Sequence, residues 1–347
     1  MDPVIVIGAG IAGVSCARAL AEAGVAVLVL ERNRQPGGRM ATGEHAGRVV
    51  DTGASYFTVS DERFDILVRD WQRRGLARPW TDTFEVYRER AFRLSSGPLR
   101  WAAADGLRTL VQDLADTAGL RVEQCEVDSV SSHGSPSANG SSDGSRLAVD
   151  GRPAAAVVLA MPDPQARAIL HPGLAAERAG LHTLFEPVLA LSAGWPERGW
   201  RRLDGVFVHG DERLSWIADD GSRRGDEAPV LVAHSTPSWA ARQLGLGDQP
   251  GQPGQLGQLG QPDQPAEAVE GMLQALSEVL GVDAAPSWTR LDQWLHAKPA
   301  AGRAAGFQLW PSLVGACGDS WSPRPRVEAA FLSGLRLGNA LAAVLRR

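Results

Sequence analysis

A glycine-rich turn near the start of the chain has the residue types and spacing that suit phosphate binding. The run reads G-x-G-x-x-G, with Gly8, Gly10 and Gly13 at the fixed positions, and Glu31 ends the next apolar run. The first glycine permits a tight turn, the second lets the backbone approach a pyrophosphate, and the third lets a helix pack closely on a strand. Glu31 would accept hydrogen bonds from a ribose. The pattern predicts a dinucleotide-binding turn; a glycine-rich turn without a ligand is the alternative.

Apolar periodicity places this turn in a βαβ unit. The run from Val4 to Ile7 predicts a strand, residues 11–23 predict a helix that Gly24 ends, and residues 25–30 predict a second buried strand. The helix N-terminus offers backbone donors and the positive end of a dipole to an anion. An amphipathic helix, two more strands and a last helix continue the same domain, at residues 105–118, 155–160, 313–319 and 327–345.

A second domain is indicated where the patterning changes. Residues 61–99 predict a helix followed by short strands, and alternating segments such as 206–208 and 230–232 favour a mainly antiparallel sheet. We expect one domain from residues 1–60, 100–170 and 305–347, and a substrate domain from residues 61–99 and 171–304. Two segments rich in small and polar residues, 129–145 and 247–265, are predicted to be flexible loops, the first joining the strand segments 121–127 and 146–149.

Composition excludes several classes of partner. The 347 residues include 40 acidic and 35 basic side chains, a formal charge of −5, so no global basic field attracts nucleic acid or a membrane surface. The three cysteines, Cys16, Cys125 and Cys317, are an odd number without CxxC spacing. We therefore expect no disulfide framework, no metal site and a cytoplasmic location.

Downstream of the first βαβ unit the sequence resembles a known superfamily. Arg32 is followed by Gly37, Gly38, Arg39 and Met40, a stretch similar to the flavin amine oxidase superfamily, in which this loop runs beside FAD and its arginine lies near the pyrophosphate. The chemistry agrees, because paired glycines permit close backbone approach and an arginine offers paired donors to phosphate. A surface turn with a solvated arginine is the alternative.

Several further segments resemble bacterial renalase-like proteins. The most specific are the run from Asp51 to Thr58 and the block that contains Gly318, Asp319 and Val327 to Gly334. The resemblance spans nearly the whole chain and implies a Rossmann-type FAD-binding domain with a mainly antiparallel β substrate domain, an α/β architecture like that of p-hydroxybenzoate hydroxylase and the amine oxidases. His296 stands where the family commonly has an aromatic residue, and the Gln/Gly/Pro tract at 247–265 is foreign to the pattern.

The resemblance implies noncovalent FAD, since none of the three cysteines lies in an attachment pattern. Asp319 at a strand-to-helix junction could accept from a ribityl hydroxyl, although it could also serve only as a helix cap. The residues predicted to bind the cofactor are Gly8, Gly10, Ile11, Ala12, Gly13, Glu31, Arg32, Gly38, Arg39, Met40, Gly53, Ala54, Ser55, Tyr56, Gly318, Asp319, Val327, Glu328 and Ala330.

The activity implied by the resemblance is oxidation of the 2-dihydro and 6-dihydro isomers of NAD(P)H to NAD(P)⁺, with hydride transfer to flavin N5 and molecular oxygen reduced to hydrogen peroxide. Such a reaction needs orientation of the ring more than a dedicated general base. The side chains predicted to orient this small-molecule substrate are Tyr56, Phe57, Trp216, His234, Trp294 and His296.

Two other functions remain open from the sequence. One is a related FAD-dependent amine oxidase or desaturase. The other is a flavin- or nucleotide-binding redox sensor without turnover, which the large second domain disfavours.

Overall fold

The computed structural model describes residues 2–133, 146–246 and 266–346. The loop predicted at 247–265 lies outside these residues, as does most of the loop predicted at 129–145. Within the described part, the helices are α1 (Ile11–Glu22), α2 (Glu62–Arg73), α3 (Leu107–Thr117), α4 (Asp163–Ile169), α5 (Ala175–Gly180), α6 (Asp220–Arg224), α7 (Pro237–Gln243), α8 (Ala266–Leu280) and α9 (Val327–Leu345).

The strands in the described residues are numbered in chain order. They are β1 (Val4–Ile7), β2 (Val27–Glu31), β3 (Thr42–His45), β4 (Arg48–Asp51), β5 (Phe57–Thr58), β6 (Arg78–Arg88), β7 (Ala91–Ala102), β8 (Val122–Gln124), β9 (Val130–His133), β10 (Arg146–Val149), β11 (Arg152–Ala154), β12 (Ala156–Leu159), β13 (Phe185–Gly194), β14 (Gly205–Val208), β15 (Leu214–Asp219), β16 (Val230–Ser235), β17 (Trp288–Pro299), β18 (Gln308–Leu309) and β19 (Val314–Ala316).

The chain forms two compact units, each built from separated segments. Unit 1 comprises Met1–Arg39, Val111–Leu184 and Pro299–Arg347, and unit 2 comprises Met40–Leu110 and Phe185–Lys298. The α/β fold class expected from the sequence is confirmed, with a Rossmann-like sheet in unit 1 and a mostly antiparallel sheet in unit 2.

Unit 1 contains a six-stranded sheet in the order β18-β19-β12-β1-β2-β8. β1 pairs in parallel with β2 and β12, and β18 adds an antiparallel edge. β1 and β12 are buried along their whole length, and their apolar runs read as the continuous hydrophobic segments typical of central parallel strands. This sheet fixes the carboxyl ends of β1 and β2, where the glycine-rich turn and Glu31 lie.

Helices α1 and α9 pack against each other in unit 1 at unusually short range. A Cβ atom at Gly334 would collide with the backbone of Ala12, and one at Gly338 would lie 2.5 Å from the Cys16 carbonyl oxygen. The Ser15 hydroxyl also donates to the Phe331 carbonyl at 2.9 Å. α9 is long and apolar enough to cross a membrane, but its buried face against α1 accounts for that composition as part of a core.

A small antiparallel sheet in unit 1 corrects one sequence prediction. β9, β10 and β11 pair in the order β11-β10-β9, so the partner of Arg146–Val149 is Val130–His133. The segment expected as that partner, 121–127, instead supplies β8, the parallel edge strand beside β2. Short apolar alternation identifies a strand but does not specify which neighbour it pairs with.

Unit 2 is organised around an eight-stranded sheet in the order β17-β13-β16-β15-β14-β6-β7-β5. β6 and β14 pair in parallel, whereas β13, β14, β15 and β16 form an antiparallel meander in space. β6 and β7 are long strands of an exposed hairpin, where the sequence predicted short ones. Helix α8 packs on this sheet through Met272, Ala275 and Leu276.

The unit boundaries differ from those expected. Residues 40–60 belong to unit 2, because β5 pairs with β7 and the Asp51 carboxylate accepts from the Leu107 backbone N–H at 2.9 Å. Residues 100–110 belong to unit 2 with them. Residues 171–184 and 299–304 belong to unit 1, where the Ala300 N–H donates to the Leu184 carbonyl at 2.9 Å.

Candidate functional site

The glycine-rich turn of unit 1 has the geometry that its sequence predicts. Gly8 follows β1 with a φ of 102°, which a residue with a side chain rarely adopts, and α1 begins at Ile11. A Cβ atom at Gly13 would collide with the Gly8 carbonyl oxygen, so the helix packs directly on the turn. Gly10 caps α1 without a side-chain hydrogen bond, and the first turn contains no acidic residue. The backbone donors of this helix end are thus left to an anion.

A second glycine loop lies against the first. Gly37 forms a bridge with Gly10, and its N–H donates to the Ala9 carbonyl at 2.9 Å. A Cβ atom at Gly38 would come within 3.0 Å of the Gly10 Cα. Two glycine-containing backbone segments therefore meet at the carboxyl end of β1. Their glycines place no side chain in the way of a phosphate group there, and backbone N–H groups can donate to it.

Glu31 ends β2 as a buried carboxylate that the turn already uses. It accepts from the Ala9 N–H at 2.8 Å and from the Asn33 N–H and Nδ2 at 2.9 and 2.7 Å. A carboxylate has about four acceptor directions, so these bonds orient Glu31 and leave capacity for a ribose hydroxyl. Orientation of the turn is a role that the sequence pattern did not reveal.

Arg39 and Asp319 come together in unit 1 from opposite ends of the chain. The guanidinium donates two hydrogen bonds to the carboxylate, at 2.5 and 3.0 Å. Asp319 opens a single 3-10 turn after β19, and the Gly318 N–H before it donates to the Ser333 hydroxyl at 3.0 Å. The pair fixes the orientation of both polar groups next to the start of α9, where Val327, Glu328 and Ala330 lie.

The donor set of unit 1 fits FAD. Bare helix N–H groups and paired glycines suit the pyrophosphate, Glu31 suits the adenosine ribose, and the Arg39–Asp319 pair supplies a cation and an acceptor. The predicted contacts of Gly10, Ile11 and Ala12 would be made through the backbone.

Three of the six side chains predicted to orient substrate lie on strands β15, β16 and β17 of unit 2. Trp216 is on β15, His234 on β16 and Trp294 on β17, and all three engage the segment between β4 and β5. The Trp216 indole N–H donates to the Ser55 hydroxyl at 3.0 Å, and that of Trp294 donates to the Thr52 carbonyl at 3.0 Å. The structure thus brings these three predicted residues together with the predicted 53–56 stretch.

His234 is held neutral at physiological pH. Burial, reinforced by the positive charges of Arg223 and Lys298, lowers the pKa of His234 to about 4, although a hydrogen bond with the Thr52 backbone opposes the shift. Its Nε2 atom is shielded from solvent and has no hydrogen-bond partner in the part of the chain that the structure describes. The ring is an unprotonated polar group whose neighbouring cations, Arg223 and Lys298, are themselves paired with Asp220 and Glu186.

The other three predicted substrate residues differ in placement. Tyr56 packs edge-on to Phe84 with ring centroids 5.2 Å apart, and burial raises its pKa although Arg100 opposes the shift, so it stays a neutral phenol. His296 lies on β17 with its ring 6.1 Å from that of Phe185. Phe57 is 2% exposed.

The prediction for Phe57 requires correction. Its ring is enclosed by those of Phe64, Trp71 and Trp101, and a side chain packed on several sides by core aromatics has no face left for a substrate. Phe57 is a core residue of unit 2.

A buried ion cluster beside the 51–56 segment was not anticipated from the sequence. It consists of Arg48, Asp51, Asp220, Arg223 and Arg224. Burial alone would raise the pKa of Asp220, but the three arginines hold it below its usual range. The sequence feature that could have predicted this cluster is the D-G-S-R-R run of α6. In a helical turn it places Asp220 three and four residues before the two arginines, on the same face.

Comparison with known families agrees with this geometry. A model described as NAD(P)-binding Rossmann-like domain matches residues 6–70, and one described as Flavin containing amine oxidoreductase matches residues 60–336. The chain belongs to the flavin-containing amine oxidoreductase family. Membership in the amine oxidoreductase family implies a flavin cofactor and oxidation of a small molecule.

Curated relatives match only a short segment. This chain is 44% identical over 61 residues to phytoene dehydrogenase from Streptomyces griseus. It is 52% identical over 60 residues to probable polyamine oxidase 4 from Arabidopsis thaliana. The match spans 12% of each relative and 18% and 17% of this chain.

Solved structures of two amine oxidases match over the whole chain. Cyclohexylamine oxidase from Brevibacterium oxydans superposes with a TM-score of 0.73 at 16% identity, covering 100% of both chains. Putrescine oxidase bound to putrescine gives 0.70 at 15% identity, with 100% of this chain and 99% of that chain covered. At such identities the likeness concerns the fold.

Proposed function

We propose that this flavin-dependent oxidoreductase oxidises the 2-dihydro and 6-dihydro isomers of NAD(P)H to NAD(P)⁺. Noncovalent FAD would supply the electron acceptor; overall, the substrate hydride, one solvent proton and molecular oxygen give hydrogen peroxide. Loss of a hydride from a dihydropyridine restores an aromatic pyridinium and releases no proton from the substrate. The chain therefore needs to bind and orient the ring rather than supply a general base.

The observation that carries this proposal is the environment of His234. The groups that lower its pKa after burial are two cations, Arg223 and Lys298. Cations beside a neutral imidazole suit a substrate whose reacting ring is uncharged and which is tethered to an anionic pyrophosphate. Trp294 on β17 provides a part-buried indole surface that suits a planar ring. Trp216 is instead a core residue that packs among three aromatic rings, those of Tyr56, Phe84 and Phe207.

Amine oxidation is the second candidate, because the family and the similar structures of cyclohexylamine oxidase and putrescine oxidase include enzymes named for amines. The two candidates differ in the group that gives up the hydride, which is a dihydropyridine ring tethered to a pyrophosphate in the first and the carbon beside a neutral amine nitrogen in the second.

Anaerobic stopped-flow mixing of the FAD-loaded protein with separated 2-dihydro and 6-dihydro NAD isomers tests the proposal. We expect rapid loss of the oxidised flavin absorbance with either isomer, slow loss with ordinary NADH, and peroxide when oxygen is admitted. Putrescine and cyclohexylamine serve as competing substrates. Fast reduction by an amine but not by either isomer would replace this function with amine oxidation.

A charge variant tests the electrostatic basis. Lys298 is half-exposed and pairs with Glu186 at 3.3 Å. Lys298→Gln should raise KM for the dihydronicotinamide dinucleotides by about threefold to tenfold, equivalent to roughly 1 kcal/mol of screened charge attraction. Arg242→Gln on α7 removes another exposed cation of unit 2 and should leave KM unchanged.

A further inference from the structure

The segment from Asp51, the last residue of β4, to Tyr56 leads into β5, and residues 52–56 have no regular secondary structure, so their backbone polar groups need partners from side chains. The guanidinium of Arg223 donates to the carbonyls of Asp51 at 3.3 Å and of Ser55 at 3.2 Å. The Trp294 indole N–H donates to the Thr52 carbonyl, which lies between these two residues in the chain. Arg223 thus spans the segment from one end to the other.

Arg223 occupies a position where charge is costly. Its exposure is 0%, and its side chain is among the largest that are fully buried in the described residues. Its charge is offset by Asp220, which also accepts from Arg48 at 2.8 Å and from Arg224 at 3.1 Å. A packed apolar side chain often replaces a buried ion pair without loss of stability, so packing alone does not require an arginine here. The planar, forked guanidinium explains why an arginine stands here, because this group can donate to two carbonyls and a carboxylate at once.

The same segment holds the side chains assigned to substrate orientation. His234 and Trp294 both bond to the backbone of Thr52, whose neighbour Asp51 is fixed by Arg223. The charged groups that act on the His234 ring are Arg223 from α6 and Lys298 from β17. A shift of the 51–56 segment would therefore displace both rings together.

We propose that Arg223 is a positioning residue: by holding the Asp51 and Ser55 carbonyls it fixes the Thr52 carbonyl, and through it the placement of His234 and Trp294. The effect on substrate rests on the proposed function, whereas the effect on the two rings does not.

Two substitutions separate the charge of Arg223 from its geometry. Arg223→Gln removes the cation, and Asp220 keeps Arg48 and Arg224 as partners. Arg223→Lys keeps the cation but loses the fork that spans the two carbonyls. Arg224→Gln is the matched control, since Arg224 is the next residue on α6, is also buried and shares Asp220, but bonds to the Asp51 carboxylate rather than to these carbonyls.

The first measurement is the NMR titration of His234 in the flavin-loaded protein. Arg223→Gln also removes the cation, which by itself raises the midpoint, so Arg223→Lys is the informative variant. Arg223→Lys should move the titration midpoint of His234 further below about 4, because the cation stays while the Thr52 bond, which opposes the lowering, loosens. Arg224→Gln should leave it within a few tenths of a unit, even where both variants lower the melting temperature equally. An unmoved midpoint in folded Arg223→Lys overturns the proposal.

The second measurement is steady-state oxidation of the dihydronicotinamide isomers. Arg223→Lys should lower kcat about tenfold or more with KM changed less than threefold, as expected when a bound ring is misoriented. Unchanged kcat in Arg223→Lys would overturn the proposal even if Arg223→Gln does not fold. If the unmodified protein oxidises neither isomer, the proposed function fails while the His234 titration still decides the role of Arg223.

Discussion

At the scale of single residues, the Arg39–Asp319 pair is the feature of unit 1 most open to test. Asp319→Ala removes an acceptor and leaves Arg39 without its two charge-assisted bonds to Asp319. Such bonds are worth about 1.5–3 kcal/mol, so we expect FAD affinity to fall roughly 10- to 100-fold. Equilibrium titration of the deflavinated protein with FAD measures this change.

The control for that variant lies on α1 of the same unit. Arg18→Gln breaks an exposed pair with Glu22 one helical turn away, a contact worth only a few tenths of a kcal/mol. It should bind FAD as the unmodified protein does. Equal FAD affinity in Asp319→Ala would show that the carboxylate serves only the fold.

His234 should also make stability depend on pH. Its folded pKa of about 4 lies below the ordinary value of 6.5, so the folded protein prefers the neutral ring. The resulting stabilisation is fully present above about pH 6.5 and is lost as the pH falls towards 4. Between neutral pH and pH 5 the free energy of unfolding should fall by roughly 2 kcal/mol from this group alone.

Denaturant unfolding at the two pH values checks the contribution of His234. His234→Asn should remove most of that difference. His209→Asn, which changes an exposed histidine just after β14, should retain it. A pH dependence that is identical in His234→Asn and in the unmodified protein would contradict this assignment.

At the scale of elements, the contact of α1 with α9 depends on two glycines. Gly334→Ala places a methyl group against the Ala12 backbone, which cannot move without shifting α1. The overpacking costs about 1–3 kcal/mol and opposes the roughly 1 kcal/mol that alanine gains in helix propensity. We expect a net loss of unfolding free energy, measured by thermal or denaturant melting.

The matched change on the same helix is Ala343→Val, on the exposed face of α9. It alters helix propensity by less than about 1 kcal/mol and adds no contact with α1. A Gly334→Ala protein at least as stable as the Ala343→Val protein would mean that the helices separate at little cost.

The elements that the sequence predicted well are those whose signal is local. β1, α1 and α9 carry continuous apolar runs or helical periodicity, and the structure places them within a few residues of the expected bounds. β7 shows the opposite case. Most of its residues are exposed, including Leu94 at 76%. Without a buried face, its sequence does not alternate regularly between apolar and polar residues, and the length of the strand could not be predicted.

The candidate site divides in the same way. The glycine turn and Glu31 are close in sequence and follow a fixed spacing, so they were predictable. The bonds from Arg223 to Ser55 and Asp51 join residues 168 and 172 positions apart. Only the pairing of strands in unit 2 brings these residues together, and no local pattern encodes that pairing.

At the scale of the whole molecule, both units are assembled from interleaved segments. One boundary falls between Arg39 and Met40, inside a single 3-10 turn, and another falls between Leu110 and Val111, inside α3. The first follows the Pro-Gly-Gly run at 36–38 by one residue, whereas the second lies inside a helix, without the proline- or glycine-rich linker that usually marks a domain border. Compositional shifts placed the borders between 6 and 21 residues away from where the contacts place them.

The contact of α1 with α9 has a consequence for biosynthesis. Ser15 and its partner Phe331 are 316 positions apart, which corresponds to roughly 15 to 60 seconds of translation. Until α9 leaves the ribosome, the nascent α1 has no partner for its bare backbone surface, and the sheet beneath it also lacks β19. The last segment of unit 2 ends at Lys298, before either element. The unit that starts first on the messenger is thus finished last, and its earliest helix has the longest exposure to chaperones and to aggregation.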